Sequence, residues 1–168
     1  MTGSNPVDRS KLGTKRHILT DKEGIPLSVV ISSAASTHDV KLVTDVVDNA
    51  VIKRHISFAK TKDGRKRKQQ HLCLDKAYNS KPEEQAIAKR GYVLHLPYKR
   101  KRGEVRKETE KILNHKKHPA RRWVVERTNS WHNRFRKLFT RYEKKVDNYL
   151  GLVQFSCSII IYRKLILG

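Results

Sequence analysis

Two short apolar runs separated by an amphipathic segment constrain the fold of this chain more than any other feature. Residues 71–75 form the first run, which ends in Asp75, and residues 92–96 form the second. Residues 82–90 between them have the pattern of a helix. Because a helix between two strands acts as a crossover, the strands are expected to pair in parallel. The chain is therefore predicted to have an α/β fold, with the first strand buried on both faces.

Asp75 allows two interpretations. An aspartate that closes a strand commonly caps the turn that follows it. The same position, outside the carboxyl end of a parallel strand, is where α/β proteins place functional groups. The local sequence leaves both interpretations open, so other parts of the chain have to decide between them.

The start of the chain predicts a hairpin followed by a helix. Residues 15–20 and 25–31 are rich in β-forming residues and flank the turn signal at residues 21–24. Residues 36–39 then offer a helix cap, and valine, leucine and isoleucine residues follow at helical spacing. A helix is expected to continue to about Arg54.

The most apolar segment, residues 149–162, is expected to be a buried helix. It has about fourteen residues, whereas a membrane-spanning helix needs about 20. Residues 59–70 and 98–118 are basic and lack apolar periodicity, so exposed loops are expected there, with a frayed helix around residues 107–113. The length of 168 residues suits a single domain, residues 1–168, with a core of its own.

The chain is strongly basic. With 38 Lys and Arg residues against 16 Asp and Glu residues, its formal net charge is +22, which is typical of nucleic-acid-binding proteins. Cys73 and Cys157 lack the spacing of a disulfide framework or a zinc site, and no signal peptide is evident, so a cytoplasmic location is predicted. The residues expected to contact nucleic-acid phosphates are Arg65, Lys66, Arg67, Lys68, Lys99, Arg100, Lys101, Arg102, Arg122, Arg134, Lys137 and Arg141.

Residues 111–142 contain ten Lys or Arg residues and one carboxylate, Glu126. A lone acid in a segment that attracts phosphate repels that ligand unless it holds a divalent cation against it. Trp123 and Trp131 are interpreted as core anchors, with base stacking as the alternative. Helical spacing places Glu126 on a polar face together with Ser130, Asn133, Arg134, Lys137 and Arg141.

Four sequence blocks follow one another along nearly the whole chain. They are residues 5–17 (NPVDRSKLGTKRH), residues 72–78 (LCLDKAY), residues 122–128 (RWVVERT) and residues 133–149, which contain NRFR, RYE and NY. In content and order these blocks resemble the catalytic half of bacterial insertion-sequence transposases of the DDE type.

The resemblance implies a ribonuclease-H-like fold, a mixed sheet with flanking helices in which three carboxylates bind two Mg²⁺ or Mn²⁺ ions. Asp75 matches the second of these carboxylates and Glu126 the third. The implied activity is DNA strand cleavage and strand transfer in the bacterial cytoplasm, close to the nucleoid. The implied partners are the insertion-sequence ends and target DNA, with a second copy or a full-length transposase beside them, and no membrane.

The family pattern is incomplete in this chain. Arg122 matches the arginine of a related signature, but Pro119 and Asn133 stand where that signature has tyrosine and lysine. Family members carry the first catalytic aspartate on a strand upstream of the block at residues 5–17. The chain is therefore expected to lack that first strand and its aspartate, as a truncated or split reading frame would, and to have little activity alone.

Two hypotheses follow from these residues. The first is the catalytic portion of a DDE transposase, an enzyme by family. The alternative is a catalytically inactive DNA-binding remnant that binds element DNA or inhibits the full-length transposase. A ribosomal or other RNA-binding structural protein would account for the charge, but not for the carboxylates Asp75 and Glu126.

Overall fold

A computed structural model describes residues 3–4, 12–33, 38–52, 64, 69–96, 121 and 123–168. Its elements are β1 (Gly3–Ser4), β2 (Leu12–Thr20), β3 (Pro26–Ser33), α1 (Val43–Asp48), β4 (Gln70–Cys73), α2 (Lys81–Lys89), β5 (Tyr92–His95), α3 (Trp123–Asn133), α4 (Arg136–Phe139) and α5 (Val146–Leu165). Short 3-10 segments occur at Asp39–Leu42 and Lys76–Tyr78. The chain divides into two compact units, a first unit of residues 1–38, 45–52 and 123–168, and a second unit of residues 39–44 and 53–122.

The first unit contains an antiparallel sheet in the order β1-β2-β3. Strands β2 and β3 form the predicted hairpin, which is confirmed. Asp21 organises its turn, because Oδ1 accepts hydrogen bonds of 2.8 Å from the backbone N–H groups of both Glu23 and Ile25. Gly24 has φ +83°, in the left-handed region that glycine adopts without strain. The turn is thus closed by the local chemistry of its own residues.

The core of the first unit lies between β3 and the last two helices. Leu138, Tyr149 and Val153 are buried together, with Val29, Ile31, Phe135 and Leu152 packed against them. Helix α5 buries one stripe, formed by Tyr149, Val153, Ser156 and Ile160. The expected helix over residues 149–162 is present and buries this stripe, while Phe155 and Tyr162 are 64% and 54% exposed, so the predicted burial holds for one face only.

The second unit contains the predicted strand, helix and strand. Strands β4 and β5 pair in parallel with α2 between them in the chain, so this prediction is confirmed. Helix α2 is followed by Arg90 and by Gly91, whose φ is +81°. The expectation that the first strand is buried on both faces is wrong, because Leu72 is buried but Cys73 is exposed. Among the described strands β4 pairs with β5 alone.

The α/β class predicted from sequence is confirmed, with antiparallel and parallel pairing found in separate sheets. No described helix is long and apolar enough to cross a membrane. The basic segments 59–70 and 98–118, with the helix expected at residues 107–113, lie outside the described residues, except for Gly64, Gln69 and Gln70. A single domain over residues 1–168 stays a prediction.

The helix predicted to reach Arg54 is shorter than expected. It begins as the 3-10 segment Asp39–Leu42, and α1 ends at Asp48. The backbone N–H of Val51 donates a hydrogen bond of 3.2 Å to the carbonyl of Leu27, so this part of the chain pairs with β3 instead of continuing the helix. Val51 itself is 85% exposed, and its apolar side chain was a misleading signal for helix length.

The polar face predicted along residues 126–141 is interrupted. Helix α3 ends at Asn133, where the N–H groups of Arg134 and Phe135 bond to carbonyls three residues earlier. Phe135 then has an extended backbone with ψ 107°, and the chain restarts as the short helix α4. The basic residues beyond Asn133 therefore do not continue the face of α3 that carries Glu126.

Candidate active site

Asp75 stands just beyond the carboxyl end of the parallel strand β4. The N–H of Leu74 donates to the carbonyl of His95 at 3.0 Å, which extends the pairing with β5 by one residue. The N–H of Tyr78 then donates to the backbone carbonyl of Asp75 at 3.0 Å and begins the 3-10 segment. The half-buried Asp75 is thus placed where a strand passes into a tight turn.

Tyr78 shows that Asp75 shares its surroundings with a second acid. Burial is the main cause that raises the pKa of Tyr78 to about 12, and the negative charges of Asp39 and Asp75 raise it further. From the sequence, Asp39 was expected only to take part in a helix cap. The second unit therefore brings two carboxylates into the neighbourhood of one phenol, a grouping that the spacing in sequence did not suggest.

Glu126 lies on the exposed side of α3. No hydrogen bond or ion pair joins its carboxylate to another described side chain, although the helix is flanked by bases. Carboxylate oxygens are the ligands that Mg²⁺ and Mn²⁺ prefer in proteins. An exposed carboxylate that makes no ion pair with a described cation fits the role of a metal ligand.

Arg127, the next residue, is engaged away from Glu126. Its guanidinium carbon lies 4.8 Å from the ring centroid of Trp123 and 5.1 Å from that of Trp131, within the range of cation–π attraction. The guanidinium also donates a hydrogen bond to the carbonyl of Glu23. Trp123 is 53% exposed, so the interpretation of Trp123 as a core anchor is wrong.

Thr128 fastens α3 to the hairpin turn. Its hydroxyl lies 2.7 Å from the carbonyl oxygen of Gly24 and 3.2 Å from that of Val124, and Thr128 is fully buried. A Cβ atom at Gly24 would lie 3.0 Å from Thr128 Oγ1, so the close approach depends on glycine at this turn. Arg127 and Thr128 directly follow Glu126 in the block RWVVERT, which was the available signal for their roles.

The end of α3 is held by a buried polar network. His132 Nδ1 lies 2.7 Å from Ser156 Oγ, and burial, followed by the nearby charge of Arg16, lowers the pKa of His132 to about 4. Burial likewise raises the pKa of Cys157 to about 11. Asn133, at the position of the signature lysine, accepts a hydrogen bond of 2.7 Å from Arg16.

The basic residues proposed for DNA differ in their surroundings. Arg134 and Lys137 are exposed. Arg141 is half-buried, donates hydrogen bonds to Thr14, Glu143 and Lys144, and lies 4.9 Å from the ring centroid of Tyr149. The structure therefore shows a structural role for Arg141. The other expected phosphate contacts, Arg65, Lys66, Arg67, Lys68, Lys99, Arg100, Lys101, Arg102 and Arg122, lie outside the described residues.

The described residues contain no group of three or more His, Cys, Asp or Glu side chains able to hold a metal ion. Asp75 belongs to the second unit and Glu126 to the first. The prediction that the two carboxylates approach a common metal ion therefore stays a prediction.

Comparison with known proteins gives matches along nearly the whole chain. The family described as "Transposase DDE domain" matches residues 2–160. A Burkholderia cepacia protein named "Putative transposase for insertion sequence element IS402" is 30% identical over 164 residues, which cover 98% of this chain and 70% of that protein. No solved structure matches.

Proposed function

Because the chain belongs to the Transposase DDE domain family, we propose that it acts in transposition by metal-dependent DNA strand cleavage and strand transfer. Asp75 and Glu126 are the proposed catalytic carboxylates. The observation that carries the proposal is the Glu126 carboxylate, which lies exposed on α3 without an ion pair to a described side chain. An exposed carboxylate oxygen is the kind of ligand that a hard divalent cation prefers.

Asp75 supports the proposal through its place in the fold. It follows a parallel strand at the point where the chain enters a turn, and functional groups of α/β proteins lie outside the carboxyl ends of such strands. The parallel pair with its helix and the antiparallel hairpin are compatible with the proposed ribonuclease-H-like sheet.

The donor set suits Mg²⁺ or Mn²⁺, because both carboxylates supply hard oxygen ligands. Asp75 and Glu126 would bind the ions through these oxygens. When bound, two such ions activate water or a DNA 3′ hydroxyl and stabilise the oxygen that departs from phosphorus. The chain's own part is to hold the carboxylates in place and to bind the DNA backbone beside them.

DNA is the proposed partner, at the ends of the insertion sequence and at the target. The net charge of +22 and the exposed Arg134 and Lys137 support binding through phosphates, which carries little sequence preference. A second copy or a full-length transposase is a further proposed partner, and the bacterial cytoplasm near the nucleoid is the proposed location. Both comparisons are with transposases and do not favour an inactive remnant.

Binding of Mn²⁺ to the full chain tests the proposal, with free Mn²⁺ measured by electron paramagnetic resonance. Asp75→Asn and Glu126→Gln are each expected to weaken Mn²⁺ binding, on the order of tenfold or more. Asp147→Asn, at an exposed carboxylate in α5, is the matched control and should bind Mn²⁺ as the unaltered chain does. Equal Mn²⁺ binding by all four proteins would show that Asp75 and Glu126 are not metal ligands.

A further inference from the structure

The tip of the hairpin is joined to α3 by two neighbouring side chains of the helix. Thr128 Oγ1 lies 2.7 Å from the carbonyl oxygen of Gly24, and the Arg127 guanidinium donates to the carbonyl of Glu23. Each contact spans 104 positions in the sequence. Because the acceptors are consecutive residues of one tight turn, rotation or sliding of the helix would break both bonds together.

Both side chains have little freedom to move. Thr128 is fully buried, and Arg127 is near the rings of two tryptophans, 4.8 Å from Trp123 and 5.1 Å from Trp131. The turn itself leaves no room for a larger residue, since a Cβ at Gly24 would lie 3.0 Å from Thr128 Oγ1. The contact is therefore a close-packed joint between two elements.

We propose that this joint positions Glu126, with Arg127 and Thr128 as positioning residues for the proposed metal-binding carboxylate. The inference rests on the proposed function, because it assumes that Glu126 binds a divalent cation. Glu126 makes no bond to a described side chain, and among the described residues its place is set by the backbone of α3. A displacement of about 1 Å in such a group can cost roughly 100-fold in rate.

The joint also keeps the neighbouring cation away from the carboxylate. The Arg127 guanidinium is directed to the tryptophan rings and to the Glu23 carbonyl, and it makes no ion pair with Glu126. Adjacent residues of a helix do not face each other, so the helix geometry and these contacts both direct the guanidinium away from the Glu126 oxygens.

A double-mutant cycle on the full chain tests the inference through Mn²⁺ binding, measured by electron paramagnetic resonance. Thr128→Val removes the hydroxyl at nearly constant volume and is expected to weaken Mn²⁺ binding on the order of tenfold. Thr128→Ser keeps the hydroxyl and should restore most of the affinity. In the Glu126→Gln background Thr128→Val should have no further effect, because the carboxylate that it would misplace is gone.

Two controls separate positioning from general damage. Ser158→Ala, at an exposed position of α5, should bind Mn²⁺ as the unaltered chain does. Arg127→Lys keeps the positive charge but loses the planar guanidinium that donates to Glu23 and lies near the tryptophan rings. This substitution is the second variant if Thr128→Val does not fold. Urea unfolding of every variant shows which of them are folded at the temperature of the binding measurement.

The outcomes distinguish the inference from the proposed function. Unchanged Mn²⁺ binding by folded Thr128→Val and Arg127→Lys proteins, with Glu126→Gln weakened, would overturn the positioning role alone. An equal loss from Thr128→Val with and without Glu126 would overturn it too, since the effect would not pass through the carboxylate. Unchanged binding by Glu126→Gln would overturn the proposed site and the inference together.

Discussion

His132 Nδ1 lies 2.7 Å from Ser156 Oγ in the interior of the first unit. The hydroxyl hydrogen of Ser156 has an acceptor in the carbonyl of Val153, 2.7 Å away. Since a hydroxyl has one hydrogen to donate, Ser156 must accept from His132, which places the ring hydrogen on Nδ1. Nε2 faces the Cys157 sulfur at 3.7 Å. Burial, which lowers the pKa of His132 to about 4, keeps the imidazole neutral at pH 7.

The neutral His132 predicts loss of stability in mild acid. Its pKa is about 4 in the folded protein, against about 6.5 for an ordinary histidine. The stability associated with this lowered pKa is fully present above pH 6.5 and is lost as the pH falls toward 4, because the unfolded chain binds a proton at His132 that the folded chain does not bind. The difference corresponds to about 3 kcal/mol of unfolding free energy.

Unfolding by urea across this pH range checks the prediction for His132. His132→Asn should remove part of the fall in unfolding free energy between pH 6.5 and 4, whereas Ser156→Ala keeps the titrating ring and should retain the fall despite lower stability. The same pH dependence in the His132→Asn protein and the unaltered chain would refute the burial of a neutral His132.

Replacing glycine by alanine at two positions should change the free energy of unfolding in opposite directions. Gly24→Ala puts a side chain at φ +83° and brings its Cβ to 3.0 Å from Thr128 Oγ1, so it should lower the unfolding free energy by about 1–2 kcal/mol or more. Gly151 lies in α5 with no atom near the place of a Cβ, so Gly151→Ala should stabilise by roughly 0.5–1 kcal/mol. Equal effects in urea unfolding would contradict the close contact at the turn.

Substitution of Arg141 is expected to lower stability, whereas substitution of Arg134 is expected to affect DNA binding alone. Arg141→Lys loses the fork that donates to Thr14, Glu143 and Lys144, and it should lower the unfolding free energy by about 1–2 kcal/mol. Arg134→Ala, at an exposed position, should leave stability unchanged but reduce the salt dependence of DNA binding by about one phosphate contact. Fluorescence anisotropy over a range of salt concentrations measures this slope, and an unchanged slope would argue against Arg134 as a phosphate ligand.

Local chemistry explains the parts of the fold that the sequence predicts correctly. Asp21 and Gly24 close the hairpin through bonds within the turn, and Gly91 follows the end of α2. The parallel pairing of β4 and β5 follows from the helix between them. Each of these features depends on residues that are near one another in the chain, so the sequence alone reveals it.

Contacts between distant residues explain where the sequence predictions fail. Val51 leaves the helical path because its N–H bonds to Leu27, and Trp123 stays partly exposed while it packs against Arg127. In the candidate site, too, a local feature is visible in the sequence and a contact between distant residues is not. Glu126 stands out in the sequence as the one acid among bases, but the bond from Thr128 to Gly24 spans too many residues for a local pattern to predict.

Tyr78 provides a test of the surroundings of Asp75. Burial first, and then the charges of Asp39 and Asp75, raise the pKa of Tyr78 to about 12, above about 10 for an ordinary tyrosine. The associated stability is therefore fully present below pH 10 and is lost as the pH rises toward 12, since the unfolded phenol releases its proton first. Asp75→Asn should lower the pKa of Tyr78 but leave it above its ordinary value, because burial remains the main cause.

Ultraviolet titration of the phenol groups measures this shift, and Tyr78→Phe identifies which part of the titration belongs to Tyr78. Asp39→Asn is the matched variant, and it should lower the same pKa, because the Asp39 charge acts in the same direction. A Tyr78 titration that moves in Asp39→Asn but not in Asp75→Asn would place the Asp75 carboxylate away from the phenol. That result would contradict the placement of the Asp75 carboxylate close enough to Tyr78 for its charge to raise the pKa of the phenol.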